Sequence, residues 1–245
     1  LVSAKNLQAT VVDTQKAGEG LILHRVQLQE GELREGDEVK LRVDRPHREG
    51  SMHHHSATHL LHAALREILG THVRQAGSLV EPTRLRFDFA HFEPIPKPLL
   101  RQIEERVNQK ILQQLAVTHE VLPYDEAMKR GALAFFEEKY GDKVRVVKMG
   151  DFSIEFCGGT HVTNTGEIKL LKLTGESSVA AGVRRVEAVV GDSALKKMQE
   201  MEDQISQIAG SLKVAPTQVA ERIEKLVDQV KRLEKELEAQ KRKAT

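Results

Sequence analysis

Two short segments carry side chains that could share a metal ion. The first contains His55 and His59, four positions apart in the sequence. On an α-helix, residues at this spacing lie on one face, so both imidazoles could bind the same ion. The second is Cys157-Gly158-Gly159-Thr160-His161, where two glycines allow a tight turn between a thiol and an imidazole. Thiolate and imidazole are typical ligands of zinc, so the two segments together predict one zinc site.

Other histidines near the first segment leave partly open which of them would bind the metal. Histidines also stand at positions 53, 54 and 62. Of these, His62 lies close enough to the face of His55 and His59 to be a weaker candidate ligand. The apolar side chains between residues 61 and 68 are expected to point away from the histidine pair, so that the pair does not lie on the core face of the helix.

The helical segment lacks a residue that one class of zinc enzyme, the peptidases, needs for catalysis. Residues 56–58 are Ser, Ala and Thr, so the segment has no glutamate of the kind that acts as general base in His-Glu-x-x-His proteases. The pattern therefore disfavours a peptidase. Four protein ligands would complete a tetrahedron, as in structural zinc sites, whereas a catalytic ion needs a position open to water or substrate. The ligand pattern alone supports either role.

Composition limits the classes of protein to which the chain can belong. The formal net charge is +1, so any RNA contact must come from local patches rather than from the overall charge. Cys157 is the one cysteine, which excludes an internal disulfide framework. No apolar run approaches the roughly 18 residues that span a bilayer, so we expect no membrane contact and a cytoplasmic location. The chain starts at Leu1 and ends within a helical pattern, as expected for a section of a longer protein.

Hydrophobic periodicity predicts an α+β fold in three parts. Residues 1–45 contain short strand patterns separated by turn signals, and predict a partial β-barrel. Residues 46–192 predict helices that flank a mainly antiparallel sheet and carry the zinc site. Residues 193–245 contain two apolar seams separated by Gly210 and Pro216. They predict a helical hairpin or the start of a coiled coil, which could join two copies of the chain, or a helix that packs on the main domain.

Individual elements follow from the same patterns. A helix is predicted over 51–69 with Gly70 as its C-cap, and Gly77 predicts a turn after it. A second helix carries apolar residues from Leu100 to Ile111, and a short helix spans 125–130. Strands are predicted at 8–12, 21–26, 38–43, 85–89, 117–122, 144–147, 153–156, 167–173 and 183–190.

Several motifs together resemble the editing domain of alanyl-tRNA synthetases. They are HSATHLLHAAL at 55–65, GTHVRQAGSLV at 70–80, LRFDF at 85–89, MGDFS at 149–153, CGGTH at 157–161 and AGVRRVEA at 181–188. The resemblance covers essentially the whole chain. The barrel of that family normally contains an upstream Glu-Ser-Gly-Gly-Gln-type segment, which this sequence lacks. Free-standing relatives that edit in trans carry the segment as well, so its absence favours part of a synthetase.

The resemblance implies a zinc-dependent hydrolase that removes serine or glycine mischarged onto the acceptor end of alanine tRNA. The implied zinc ligands are His55, His59, Cys157 and His161. Thr58 and Gln75 would line the amino-acid pocket, the first as a partner for a serine hydroxyl and the second as an orienting group. The rest of the parent synthetase would be a partner, and its adenylation domain lies outside this sequence. Two alternatives stay open: a free-standing trans-editing deacylase, and a structural zinc module that only binds tRNA.

Charged residues near these motifs supply further candidates. Arginine side chains can contact tRNA phosphates. The candidates for this role are Arg74, Arg84, Arg86, Arg184 and Arg185. Asp151 is expected to hydrogen-bond a ligand histidine and thereby hold its tautomer.

Overall fold

The chain folds as α+β, with three antiparallel sheets and five α-helices in the part that the computed structural model describes. That part comprises residues 2–4, 7–18, 20–134 and 141–244. The strands are β1 (Val2–Ala4), β2 (Leu7–Lys16), β3 (Ile22–Glu30), β4 (Lys40–Leu41), β5 (Gln75–Val80), β6 (Leu85–Ala90), β7 (Val117–Pro123), β8 (Lys143–Met149), β9 (Ser153–Phe156), β10 (Leu171–Ala180) and β11 (Val183–Val190). The α-helices are α1 (Arg45–Leu69), α2 (Lys97–Leu112), α3 (Tyr124–Lys129), α4 (Gly191–Leu212) and α5 (Val219–Ala244). The α+β class predicted from the sequence is confirmed.

The strands form three separate sheets. β3, β2, β1 and β4 lie side by side in the first sheet, β10, β11, β6 and β5 in the second, and β7, β8 and β9 in the third. All of the paired strands are antiparallel. In the first sheet β3 and β4 are the edges, so its described strands do not close into a barrel. The division into domains at residues 45 and 192 stays a prediction.

α1 begins at Arg45 rather than at residue 51 because of the residue that caps it. The side chain of Asp44 accepts a hydrogen bond from the backbone N–H of His47 at 2.8 Å, and a proline lies in the first turn. The helix ends at Gly70, as predicted, where the N–H donates to the carbonyl of Arg66. The φ of 117° at Gly70 makes glycine suitable at this position.

α1 lies in the main hydrophobic core. Its residues Leu60, Leu61 and Leu65 are fully buried in one cluster with Phe87 and Phe89 of β6. α2 and β11 contribute further buried aliphatic side chains to the same cluster. Since burying a large apolar side chain contributes about 1.5–3 kcal/mol, this contact between helix and sheet is a major part of what holds the second sheet in place.

The histidine side of α1 is buried as well, but, as expected, it lies on a different side of the helix from the leucines of the main hydrophobic core. His54, His59 and His62 are exposed by only 1%, 6% and 1%. β9 covers this side of the helix, where Glu155 contacts both His59 and His62. The helix is therefore enclosed on two sides, with His59 buried and His55 partly exposed.

Three predicted boundaries are corrected. Gly77 lies within β5 rather than in a turn, at a register shift opposite Asp88, where a bulge needs an extra residue. Residues 165–168 form a 3-10 helix capped by Asn164, so the strand predicted from residue 167 starts at Leu171. The strand predicted at 38–43 is only the two residues of β4.

The C-terminal residues form two helices, as the apolar seams predicted. Lys213, with a φ of 53°, ends α4, and a 3-10 helix at Pro216–Gln218 leads into α5. Apolar side chains on both helices are about half exposed, among them Ile205 and Leu233. The coiled coil and the homodimer stay predictions. In the described ranges, no helix is long and apolar enough to cross a membrane.

The side chain of Asn108 joins α2 to the first residue of β10. Its Nδ2 donates to the carbonyl of Leu171 at 2.9 Å, and its Oδ1 accepts from the N–H of Leu171 at 2.8 Å. Beside it, Oε2 of Glu104 accepts from the N–H of Leu173 at 2.7 Å. β10 is an edge strand of the second sheet, so side chains of α2 complete backbone hydrogen bonds that would otherwise need water.

Replacing Asn108 with alanine should lower the free energy of unfolding by about 1–3 kcal/mol, because the N–H and carbonyl of Leu171 would lose their partners. Urea unfolding followed by circular dichroism measures this change. Glu105→Ala, on the exposed side of the same helix, is the matched control and should change stability by no more than about 0.5 kcal/mol. Equal unfolding midpoints for the two variants would contradict the proposed link between α2 and β10.

Candidate metal centre

Four side chains from two distant segments meet beside α1. His55 and His59 extend from the helix, and Cys157 and His161 extend from the loop after β9. One ligand atom from each residue lies within 4.8 Å of all the others. The Sγ atom of Cys157 is 3.4 Å from Nε2 of His55 and 3.3 Å from Nε2 of His161. We call these four residues the tetrad. The structure thus brings together the four residues that the sequence predicted as zinc ligands.

The loop that carries half of the tetrad is held by Arg145 of β8. Its Nη1 donates to the carbonyl of Cys157 at 2.8 Å and to the carbonyl of Gly159 at 2.7 Å. The N–H of Cys157 donates in return to the carbonyl of Arg145 at 3.0 Å. Ser56 of α1 fixes the other end of the loop, since its hydroxyl is 3.1 Å from Nδ1 of His161. Both tetrad residues of the loop are therefore positioned by neighbouring elements rather than by the loop alone.

The two glycines of the loop have different roles. A Cβ atom on Gly159 would lie 2.2 Å from Cε1 of His55, a distance that side chains do not tolerate. A Cβ atom on Gly158 would have no neighbour within 4 Å. The absence of a side chain at Gly159 is thus what lets the loop approach α1 closely enough for Cys157 and His55 to be neighbours.

A buried carboxylate contacts the tetrad from behind. Oε2 of Glu155 is hydrogen-bonded to Nδ1 of His59, and its Oε1 is 2.9 Å from Nδ1 of His62. All three side chains are less than a tenth exposed. Burial by itself would lower the pKa of His59, but the charge of Glu155 raises it to about 10. Burial would raise the pKa of Glu155, but the two histidines, His59 first, lower it to about 2.

Glu155 was missed in the sequence, and it takes the role predicted for Asp151. The Asp151 side chain is 98% exposed and pairs with Lys148 at 2.9 Å, so the prediction that it holds a ligand histidine is corrected. Asp151 lies in the turn before β9, whereas Glu155 lies on the buried face of that strand. A charged residue within a predicted buried strand was the available signal, because such a residue needs a partner inside the protein. His62, the weaker candidate ligand, instead bonds Glu155.

Two of the tetrad residues, Cys157 and His161, are in the chemical state that binds a metal ion. Nε2 of His59 is buried and has no hydrogen-bond partner in the described part of the chain, while its Nδ1 is used by Glu155. Burial would raise the pKa of Cys157, but hydrogen bonds from the surrounding histidines lower it to about 3. Burial lowers the pKa of His161 to about 4. Thiolate and neutral imidazole are the forms that bind metals, so Cys157 and His161 suit a cation as they stand, whereas His59, whose pKa is raised, must release its Nε2 proton when a metal binds.

A partly open cavity of about 130 Å³ adjoins the tetrad. His55, His59 and Cys157 form part of its wall, together with Thr58 and Gln75, the two residues predicted to line an amino-acid pocket. The other lining residues are His62, Ser78, Phe87, Glu155 and Phe156. We call this cavity the chamber. Cavities of about this size hold molecules such as benzene, so the chamber has room for a small side chain.

Thr58 offers a single type of hydrogen bond to the chamber. It is only 6% exposed, and its hydroxyl donates to the carbonyl of His54 at 2.8 Å within the helix. Because that proton is used, the hydroxyl oxygen can only accept a hydrogen bond from a group in the chamber. Gln75 lies at the start of β5, beside the register shift at Gly77.

The five arginines predicted to contact phosphates differ in their surroundings. Four of them form ion pairs: Arg84 with Glu81, Arg184 with Glu176, and Arg185 and Arg86 with Asp88. Arg74 is exposed, and no ion pair involves it among the described residues. The phosphate contacts stay predictions, with Arg74 the one of the five whose charge is not neutralised by such a pair.

Comparison with known proteins identifies relatives of this sequence. The family described as threonyl and alanyl tRNA synthetase second additional domain matches residues 144–187, which include Glu155, Cys157 and His161. The alanine–tRNA ligases of Acetivibrio thermocellus, Fervidobacterium nodosum and Acidithiobacillus ferridurans are 48%, 50% and 51% identical to the chain over 97%, 92% and 95% of its length. The matched regions are 27%, 26% and 26% of those proteins, so the chain spans about a quarter of the length of these curated relatives.

Replacing Gly159 with alanine should weaken metal binding at least about tenfold, because the new Cβ would displace His55 from Cys157. Competition with a chromophoric zinc chelator measures the affinity. Gly158→Ala introduces the same methyl group into open space and should bind metal like the unchanged chain. If both variants retained the full affinity, the close approach of the loop to α1 would not be needed for metal binding.

Proposed function

Since the chain belongs to the alanyl-tRNA synthetase family over the section that it shares with those ligases, we propose that it hydrolyses the ester of serine or glycine mischarged onto alanine tRNA. The substrate is the aminoacyl ester on the terminal ribose of the tRNA. In this proposal the rest of the parent synthetase, including its adenylation domain, attaches the amino acid, and this section removes the wrong one.

The observation that carries the proposal is the contact between the chamber and the tetrad. Three of the four tetrad residues line a cavity with room for a small group. A structural metal site needs no such cavity, whereas a hydrolase must place the reacting group beside its metal. Glycine, alanine and serine are all small enough for the chamber, so its volume restricts the substrate class without choosing among them.

We propose zinc as the metal held by His55, His59, Cys157 and His161. One thiolate and three imidazoles form a donor set that suits zinc. A bound zinc ion would supply positive charge that polarises an ester carbonyl or lowers the pKa of a water molecule. Glu155 keeps Nδ1 of His59 engaged, so the same histidine presents Nε2 toward the other tetrad residues.

Thr58 gives the chamber a means to prefer serine over alanine. A serine hydroxyl can donate to the Thr58 oxygen, whose own proton is bound to His54. An alanine methyl would fill the same space and leave that buried acceptor unsatisfied, at a cost of about 1–3 kcal/mol. Glycine would leave room for a water molecule to satisfy it. Gln75, which also lines the chamber, would orient the ester by hydrogen bonds from its amide.

Such a preference answers a problem of recognition in the synthesis of alanyl-tRNA. A site that binds alanine cannot exclude glycine by size, and a single hydroxyl or methylene gives only about 10- to 200-fold discrimination. A second site that accepts serine and refuses alanine would multiply that selectivity.

A structural metal module is the second candidate function, because four protein ligands would close the tetrahedron. A free-standing deacylase would perform the same reaction, and an adenylation domain encoded in the same gene would exclude it.

The direct test is the release of serine from Ser-tRNA(Ala) by this chain. Removing the metal with a chelator, or replacing Cys157 with alanine, should each lower the rate at least about a hundredfold. Added zinc should restore the chelated chain but not the Cys157→Ala variant. His47→Ala, which changes an exposed histidine of α1 outside the tetrad, is the control. A chain that holds zinc and binds tRNA, but releases serine no faster than buffer, would favour the structural module.

The role of Thr58 is tested by the ratio of serine to alanine hydrolysis. Thr58→Val keeps the shape of the side chain but removes the acceptor, so the ratio should fall about tenfold, mainly through slower release of serine. Thr58→Ser keeps the hydroxyl and should keep the preference. Rates are measured with Ser-tRNA(Ala) and Ala-tRNA(Ala) under single-turnover conditions. An unchanged ratio in the valine variant would exclude Thr58 as the selecting group.

A further inference from the structure

A second cavity borders the tetrad through a different residue from those that line the chamber. It is an open groove of about 340 Å³, and its wall includes Gly159, Thr160 and His161 of the loop after β9. Arg48 and Met52 of α1 and Thr118, His119, Arg145 and Val147 of the third sheet form most of the rest. We call it the α1 groove. Three tetrad residues line the chamber and the fourth, His161, lines the α1 groove, so the tetrad lies between the two cavities.

The charge of the α1 groove favours an anion. Its nitrogen-bearing side chains are Arg48, His119, Arg145 and His161, and none of its lining residues is Asp or Glu. Two other surface cavities of about 380 and 340 Å³ both contain glutamates in their walls. Glu167 lies beyond the rim, but its Oε1 already accepts from the hydroxyl and N–H of Thr163 and from another backbone N–H.

Arg48 is the side chain in this groove whose charge is available to a ligand. It is exposed, and no ion pair or side-chain hydrogen bond involves it within the described ranges of the chain. Arg145 is partly committed, because its Nη1 holds the carbonyls of Cys157 and Gly159. An anion bound near Arg145 would therefore also lie beside the group that fixes the tetrad loop.

The two cavities follow one face of α1. Arg48, Met52, His55 and His59 are spaced by four, three and four residues, which places them along one side of the helix. The stripe runs from the α1 groove, past the tetrad, to the chamber. From Arg48 to His55 the helix rises about 10 Å.

We infer that the α1 groove binds the terminal nucleotide of the RNA substrate and that Arg48 contacts its phosphate. This inference rests on the proposed function, and it gives the orientation of the substrate. The aminoacyl group lies in the chamber, the ester lies at the tetrad, and the ribose and phosphate lie along the first turns of α1. Arg48 is then a binding residue for the nucleotide rather than part of the hydrolytic chemistry.

The test measures binding of RNA without an amino acid. A fluorescent minihelix with the acceptor stem and unpaired 3′ end of alanine tRNA is titrated with the chain over a range of salt concentrations. Arg48→Gln should weaken binding at least about fivefold and reduce the slope of log K against log salt by about 0.7, the value for one phosphate on a single strand. Arg101→Gln removes an exposed arginine of α2 outside the groove and is the control.

Truncating the minihelix locates the contact. Without its unpaired 3′ nucleotides, the Arg48→Gln variant and the unchanged chain should bind the RNA equally well. Inorganic phosphate at the same ionic strength should compete weakly and only in the millimolar range, since a free anion lacks the ribose and base. An effect of Arg48→Gln that persists with truncated RNA would overturn the assignment, as would an affinity equal to that of Arg101→Gln.

Deacylation of the serine-charged minihelix separates this inference from the proposed function. We expect Arg48→Gln to raise the KM at least about fivefold while kcat and zinc content stay within twofold. If the unchanged chain never releases serine but loses RNA affinity on Arg48→Gln, the proposed function fails and the groove assignment stands. If serine is released with the same KM by Arg48→Gln and Arg101→Gln, the function stands and the groove assignment fails.

Discussion

The contact of Glu155 with His59 and His62 is the constraint on which the rest of the site depends. A carboxylate that is 3% exposed is costly unless it is paired, so β9 can occupy its position only where two imidazole N–H groups meet it. Glu155 belongs to the third sheet, and the histidines belong to the helix that packs on the second sheet. The same contact therefore joins the third sheet to α1 and sets the orientation of a candidate metal ligand.

The tetrad could be predicted because each of its two halves depends only on residues that are close together in the sequence. The spacing of His55 and His59 fixes their common face on any helix, and two glycines between Cys157 and His161 permit a tight loop whatever surrounds it. Glu155 could not be assigned in the same way. Its partners lie 96 and 93 residues earlier in the chain. Only the packing of β9 against α1 decides that this acid is buried while Asp151 remains in solvent.

The contrast between short-range sequence spacing and long-range packing also explains the other differences between the sequence patterns and the structure. The helix at Arg45 starts early because a single side chain, Asp44, supplies the cap, and periodicity does not detect caps outside the periodic run. The arginines were selected by residue type, but whether an arginine is neutralised depends on partners such as Asp88, which lies 97 residues from Arg185. Residue type indicates which chemistry is possible, and tertiary packing decides which side chains remain available for it.

The separation of the tetrad along the chain has a consequence for folding. His55 and Cys157 are 102 residues apart, so a metal ion cannot bridge the two segments until a long loop has closed. Neither segment alone offers more than two ligands, which is a weak site for zinc. If the tetrad binds zinc as proposed, metal capture would be a late event that reports the completed packing of β9 on α1. Once captured, the ion would act as a cross-link and stabilise the long-range contacts that form slowest in an α+β domain.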